Sequence, residues 1–479
     1  MKSLGKRMKT NYSAIPFKSS SIELQNKPSN EPKQFYVEEY TDEFDEIDDF
    51  PLIPEGGGAA GGPEAADAGV PGAVFNLATS IIGAGIMALP AAMKVLGLAL
   101  GFVSIVVMGV LSEISIELLV RYSVLSKAAS YGEVVEAALG RAMRVVSEVC
   151  IVVNNAGVLV VYLIIIGDVM SGSSDHVGVF DQLFDHGVWD HRKMVILVVL
   201  IVFLAPLCAL EKIDSLSLTS AASVALAVVF VVISCAVAFI KLVDGTIQKP
   251  RMGPDFSTKA SILDLLVVIP IMTNAYVCHF NVQPIYNELD GRSPQKMNRV
   301  GRISTVMCVV VYAATAVSGY LLFGDETESD VLTNFDKNLG AHFSMVLNYI
   351  VRIGYVLHLV LVFPVIHFSL RQTVDALVFT NSVLDSRKKS LALTAVLLGV
   401  IYVGSTMIPN IWVAFKFTGA TTGLSLGFIF PALITLRLDK HDKSLTNGEK
   451  AVSWLMLVLA AVVSVVGVAG NIYSIQNQS

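Results

Sequence analysis

The chain has 479 residues, of which 54% are hydrophobic and 15% charged, with a mean hydropathy of +0.65 and a net charge of −6. Soluble domains carry roughly 25% charged residues, so a string of ordinary water-soluble domains is excluded, and the acidic balance argues against a nucleic-acid partner. The five cysteines sit mostly inside apolar runs, which implies no disulfide framework.

Residues 1–70 form the polar part of the chain. Basic residues come first, followed by the acidic run Glu38 to Asp49 and a Gly/Ala/Pro stretch. Like charges at this density repel and cannot bury a core, so a disordered tail is expected. The polar start of the chain shows no cleavable signal peptide. Asp48, Leu52 and Ile53 have the D-x-x-x-L-I spacing of an acidic dileucine sorting signal, which would engage a sorting adaptor; a merely solvated tail accounts for the same residues.

Residues 71–475 read as an all-α polytopic membrane domain. A bilayer core takes about 20 mainly apolar residues per helix, and the runs divide into eleven spans near 72–97, 99–122, 144–170, 193–210, 215–241, 260–282, 300–323, 342–369, 390–408, 411–437 and 450–474. The runs are continuously apolar rather than alternating, which excludes a lipid-facing barrel and leaves helices as the spanning element. One set of connections carries the basic residues, for example Arg141, Arg144, Arg299, Arg302, Lys388 and Lys389. The opposite set is acidic, with Asp181, Asp325, Glu328 and Asp330. Lysine and arginine stay in the cytosol, so the N-terminus is expected there. The stretch Lys249, Arg251, Lys259 runs against the pattern.

The first span contains Thr79, Ile82, Gly83, Ala84, Gly85 and Pro90. Glycine costs about 1 kcal/mol against alanine inside a helix and proline about 3, so unwinding is expected at this point. Freed N–H groups at a half-helix start attract a carboxylate; close helix packing on small residues is the competing explanation. The sixth span holds Pro270 beside Ile271, Thr273, Asn274 and Tyr276, and the break is expected at Ile271 to Asn274. Two interrupted spans five helices apart match two inverted repeats meeting at a midplane site, about 72–241 and 260–437, with an eleventh helix at 450–474 outside them.

Gly83 to Pro90, reading GAGIMALP, resembles the first-span G-[SA]-G-I-x-x-L stretch of the amino acid/auxin permease family. Cys278-His279 followed by Pro284-Ile285-Tyr286-Asn287-Glu288-Leu289 resembles the family's C-H-x-x-x-x-P-I-Y-x-E-L stretch, and Asn155 to Tyr162, Arg352 to Pro364 and Gly419 to Pro431 also match. The resemblance covers about 72–474, is strongest to the sodium-coupled neutral amino acid transporters, and within them is nearest the plant vacuolar amino acid transporters. It implies a LeuT-like fold of the APC superfamily, with a 5+5 inverted repeat and broken helices 1 and 6, that carries out secondary active transport of small neutral amino acids as a monomer in a vacuolar or other internal membrane, with the plasma membrane as the alternative.

By the same resemblance the substrate carboxylate meets the N–H groups of Ile82, Gly83, Ala84 and Gly85, and the ammonium meets carbonyls at Ile271 to Asn274. Asn155, Tyr162, Thr273, Tyr276 and Thr418 would wall the side chain. Thr79 stands where the sodium-coupled relatives have asparagine, and Val360 where they have a hydroxyl. That departure favours a proton over sodium as coupling ion, and a proton needs a titratable group within the bundle. Thr79, His358 and Glu113 are the coupling candidates, with His367, Glu117, Glu148, Asp168 and Asp264 behind them. Interhelical hydrogen bonding is the competing explanation for Asn155 and Tyr162, and a neutral histidine hydrogen-bonded in the bundle is that for His358. Neither H-E-x-x-H nor paired aspartates occurs within the spans, so no enzyme, metal or cofactor is expected. The alternatives left open are a sodium symporter and an amino-acid sensor that signals through its tail.

Overall fold

A computed structural model describes residues 69–478, apart from 173–175, 185–186, 188–190, 211–215, 248, 258, 337–343, 380–381, 409–410 and 443–444. The expected tail and its sorting signal at Asp48, Leu52 and Ile53 lie outside the described residues.

The described residues form helices joined by short connections. In chain order these are α1 (Val70–Ile81), α2 (Gly85–Leu96), α3 (Leu98–Leu125), α4 (Tyr131–Leu139), α5 (Arg141–Ser171), α6 (Val179–Phe184) and α7 (Arg192–Val199), which runs on through a π-helical turn to Cys208. Then come α8 (Ser217–Val243), α9 (Lys259–Tyr276), α10 (His279–Glu288), α11 (Pro294–Phe323), α12 (Ser344–Val378), α13 (Arg387–Met407), α14 (Ile411–Thr418), α15 (Phe430–Asp442) and α16 (Asn447–Gln478). Two π-helical stretches, Gly419–Gly423 and Ser425–Ile429, join α14 to α15. Among the described residues, 8 helical stretches are long and apolar enough to cross a membrane, and 9 if the bent pair α1/α2 counts as one. The helices follow the hydrophobic runs in order. α12 extends past the expected 369 to Val378, and the short helices α4 and α6, in connections, have no counterpart in the expected spans.

Local chemistry sets the ends. Ser130 accepts from the Glu133 N–H to cap α4, and Ser293 accepts from Lys296 N–H ahead of Pro294 to start α11. Between α2 and α3 the chain turns at Gly97, φ +78°, where a Cβ would sit 2.5 Å from the Gly253 nitrogen. Glycine alone fits there, because the 249–253 segment lies against it, with the Leu98 and Ala99 N–H groups donating to the Arg251 and Met252 carbonyls at 2.8 and 3.1 Å.

At the centre, α11 packs on α1, α2 and α3, while α12 packs on α5 and α8. Apolar side chains such as Val110, Phe239, Val310, Val400 and Val465 point outward, exposed from these helices. In water such a surface would drive aggregation; against lipid tails it is the natural exterior. Interior polar groups are tied to carbonyls of other helices, as in Ser304 Oγ to Val74 O and Ser115 Oγ to Gly427 O.

A candidate substrate site at the interrupted first helix

α1 ends at Ile81 and α2 begins at Gly85 with its axis turned by 53°. Ile82 is extended, with φ −74° and ψ 94°, and its N–H donates to Ala78 O. Tight turns follow, from Ile86 N–H to Gly83 O and Met87 N–H to Ala84 O. Ala84, at the N-cap of α2, offers no side-chain cap. The first N–H groups of α2 therefore carry the positive end of a helix dipole with no capping side chain.

Side chains from distant helices converge on the carbonyls this gap frees. Tyr355 of α12 donates to Gly83 O at 2.8 Å. Tyr312 of α11 reaches both Ile81 O and Ala275 O, and so joins the interrupted first helix to α9. Tyr162 of α5 lies over Gly83, with the Ala84 backbone hydrogen-bonded to its hydroxyl. Both glycines are required by these approaches. A Cβ at Gly83 would fall on the Tyr162 hydroxyl, and one at Gly85 would sit 2.9 Å from the Ala275 Cα. The rings also buttress one another: Tyr276 meets Tyr312 edge-on at 5.0 Å, and Tyr162 lies 6.4 Å from Phe363.

Below the gap Thr79 donates to Ser220 O and lies 3.1 Å from the Ser223 hydroxyl. His358 Nδ1 is 2.7 Å from Ser223 O, and its ring lies tilted against Tyr355 at 4.8 Å. His358 of α12 thus meets Ser223, whose hydroxyl lies against Thr79, while Val360 is one of the buried apolar residues.

The second interruption is not where proline suggested. α9 continues through Ile271, Thr273 and Asn274 to Tyr276, and the gap falls at Val277 and Cys278, before His279 opens α10. The expected break at Ile271 to Asn274 is therefore corrected. Pro270 sits in a brace of glycines: a Cβ at Gly419 would overlap the Pro270 carbonyl, and one at Gly467 would stand 3.1 Å from its ring. Close packing on both sides holds the proline-containing turn helical.

The remaining expected residues separate. Asn274 donates to Thr418 Oγ1, Thr422 to Asn154 Oδ1 and Asn154 to Asn155 Oδ1, so Asn155, Asn274 and Thr418 join one buried polar seam between α5, α9 and α14. Thr273 bonds to Ile269 O and shares an apolar crevice with Met108, Leu111 and Met456, away from the gap. The Tyr276 hydroxyl is spent on Ile105 O. Glu113 forms a partly exposed ion pair with Arg302 at 3.0 Å rather than an interior site. Asp168 pairs with Arg192 at 2.6 Å, Glu148 with Arg144 at 2.8 Å, and the side chain of Asp264 lies outside the described residues. Tyr312, Tyr355, Ser220 and Ser223 were missed. Hydroxyls three residues apart in the fifth span and two interior tyrosines were visible, but only the fold shows which carbonyls they serve.

Residues 67–473 match the profile of the family described as "Transmembrane amino acid transporter protein". The chain is 64% identical to the Arabidopsis thaliana amino acid transporter AVT6E over 98% of this chain and 100% of that one. It is 45% identical to amino acid transporter AVT6A of the same plant, over 89% and 93% of the two chains, and 44% identical to AVT6B over 89% and 94%. Among solved structures, a mutant of the Eremococcus coleocola manganese transporter aligns over 85% of this chain and 93% of its own, at 10% identity and a TM-score of 0.49.

Proposed function

The chain belongs to the transmembrane amino acid transporter family, and from that premise we propose a secondary active carrier that takes a small neutral amino acid as its zwitterion at the gap between α1 and α2. The observation that carries this reading is the Tyr312 hydroxyl. It reaches two carbonyls, Ile81 O and Ala275 O, yet a hydroxyl has one proton to donate. One acceptor is always short of a donor, and a substrate ammonium supplies the missing N–H bonds. The start of α2 at Gly85, which has no side-chain cap, receives the carboxylate, while the Ile82 N–H is taken by Ala78 O and the Ala84 backbone by Tyr162. Both ends of the zwitterion are then met without a formal protein charge in lipid.

In this reading the first and sixth spans are the α1/α2 and α9/α10 pairs, the α7 run is a span, and the bundle has eleven spans in two inverted repeats. The N-terminus is cytosolic and the membrane is that of a vacuole or related compartment. The chain works without enzymatic chemistry or a cofactor. His358 is the coupling group. It is buried, it touches the Ser223 carbonyl beside Thr79, and protonation would place a cation among the oxygens of Thr79, Ser220 and Ser223. The same oxygens favour sodium as the second reading. Amino-acid flux into liposomes holding purified protein separates the two. Proton coupling predicts uptake that follows an imposed pH gradient with choline replacing sodium. Strict sodium dependence contradicts proton coupling, and absence of flux under either gradient contradicts a carrier.

A further inference from the structure

We propose that residues 324–336, pinned through Asp336 to His176 and Val177, form a cap over α2 that tightens in acid and controls access from the non-cytosolic side. This rests on the carrier reading and on the orientation given by the loop charges.

The cap is built on α2 itself. Val331 N–H donates to Met87 O at 3.2 Å, and Lys94 Nζ donates to Thr327 O at 3.1 Å. Asn334 staples the segment internally, accepting from Glu328 N–H and donating to Glu326 O. Phe335 is buried against Phe230, which packs on Tyr355, the donor to Gly83 O. Contact therefore runs without a gap from the cap to the interrupted helix.

Asp336 fastens the cap to the α5–α6 connection, and Arg352 of α12 holds that connection in turn. Arg352, 1% exposed, donates to Val169 O at 2.9 Å, Val177 O at 2.7 Å and Gln182 Oε1 at 3.3 Å. Asp336 Oδ2 accepts from Val177 N–H at 3.2 Å and lies 3.0 Å from His176 Nδ1. The other charged and titratable groups facing this cluster are Asp330 within the cap, Tyr349 on α12, and the Asp168–Arg192 pair at the end of α5. Toward the rim Asp325 meets Arg251 at 3.4 Å.

The pH sense follows from Asp330, which faces the His176–Asp336 contact. Burial, and to a lesser degree the nearby Asp168, pushes Asp330 up to about 7 from an ordinary 3.8, against the pull of the Leu332 N–H and Arg352. A carboxyl whose value is raised in the closed state favours closure below its ordinary value and loses that contribution as pH rises through about 7. The Asp330 carboxyl therefore favours closure in acid and loosening toward neutral pH.

The test is maleimide labelling of Met87→Cys in proteoliposomes, without substrate or gradient, normalised to the unfolded protein at each pH. Labelling should rise roughly 5-fold from about pH 5 to about pH 8, and the pair His176→Gln with Asp330→Asn should flatten that rise. Hydrogen exchange of residues 324–336, corrected for intrinsic rates, reads the same opening without the cysteine and decides alone if Met87→Cys fails to fold. A flat profile in the parent protein, or an unchanged slope in the double variant, overturns the proposal. Neither readout measures flux, and the double variant leaves His358 in place, so a sodium-driven carrier can pass this test and a proton-driven one can fail it.

Discussion

The two helix interruptions differ in what surrounds them. At Ile82–Ala84, Tyr162, Tyr312, Tyr355 and His358 arrive from three other helices and engage the gap or its flanks. At Val277–Cys278, Tyr312 and Ser112 hold the preceding carbonyls of Ala275 and Tyr276, and Asn281 N–H donates back to Cys278 O. Just past it, both His279 ring nitrogens and both Gln283 amide atoms are buried with no hydrogen-bond partner among the described residues. The first gap is braced at its own residues by aromatic side chains, and the second is held at its flanks, beside buried polar groups with no partner among the described residues. Unwound backbone inside a bilayer is tolerable only where protein or a cavity satisfies it, and the two gaps meet that demand to different degrees.

The contrast breaks most visibly if Gly83 tolerates a side chain. Gly83→Val should lower flux at least ~100-fold with expression intact, since its Cβ would occupy the place of the Tyr162 hydroxyl. Flux in liposomes, read beside a folding assay, checks this. Tyr312→Phe should come next. Leaving the Ile81 and Ala275 carbonyls without their shared donor costs about 1–3 kcal/mol, and a roughly 10-fold loss of flux with a lowered melting temperature is expected. His358→Gln sharpens the comparison differently. It keeps a hydrogen-bonding side chain but cannot titrate, so exchange at symmetric pH should stay within about 3-fold while the response to a pH gradient disappears. Pro270→Ala should matter least, within about 2-fold, because the helix already runs unbroken through that residue.

These outcomes bear on what the sequence made legible. The hydrophobic runs located the helices because every backbone group in lipid must be paired within its own segment. The glycine cluster located the first gap because close approach by Tyr162 and Ala275 leaves room for nothing larger. Proline misled at the sixth span. Pro270 removes a single donor, and whether that turn opens depends on Gly419 and Gly467 pressing against it from other helices. The second gap carries no glycine or proline of its own, so its position was illegible. Asn155, Asn274 and Thr418 gathered as expected, but into a seam with the unforeseen Asn154 and Thr422. Thr273 turned to the crevice beside Met108 because helix register, not residue type, decides which face a side chain takes.

The central claim is that the uncapped start of α2 holds a carboxylate while carbonyls around Tyr312 hold an ammonium. Competition between a transported amino acid and its methyl ester measures the first half directly, because the ester keeps the ammonium and side chain but loses the negative charge. The account predicts that the ester competes at least ~10-fold more weakly, a difference of about 1.4 kcal/mol. Equal competition by acid and ester would contradict it.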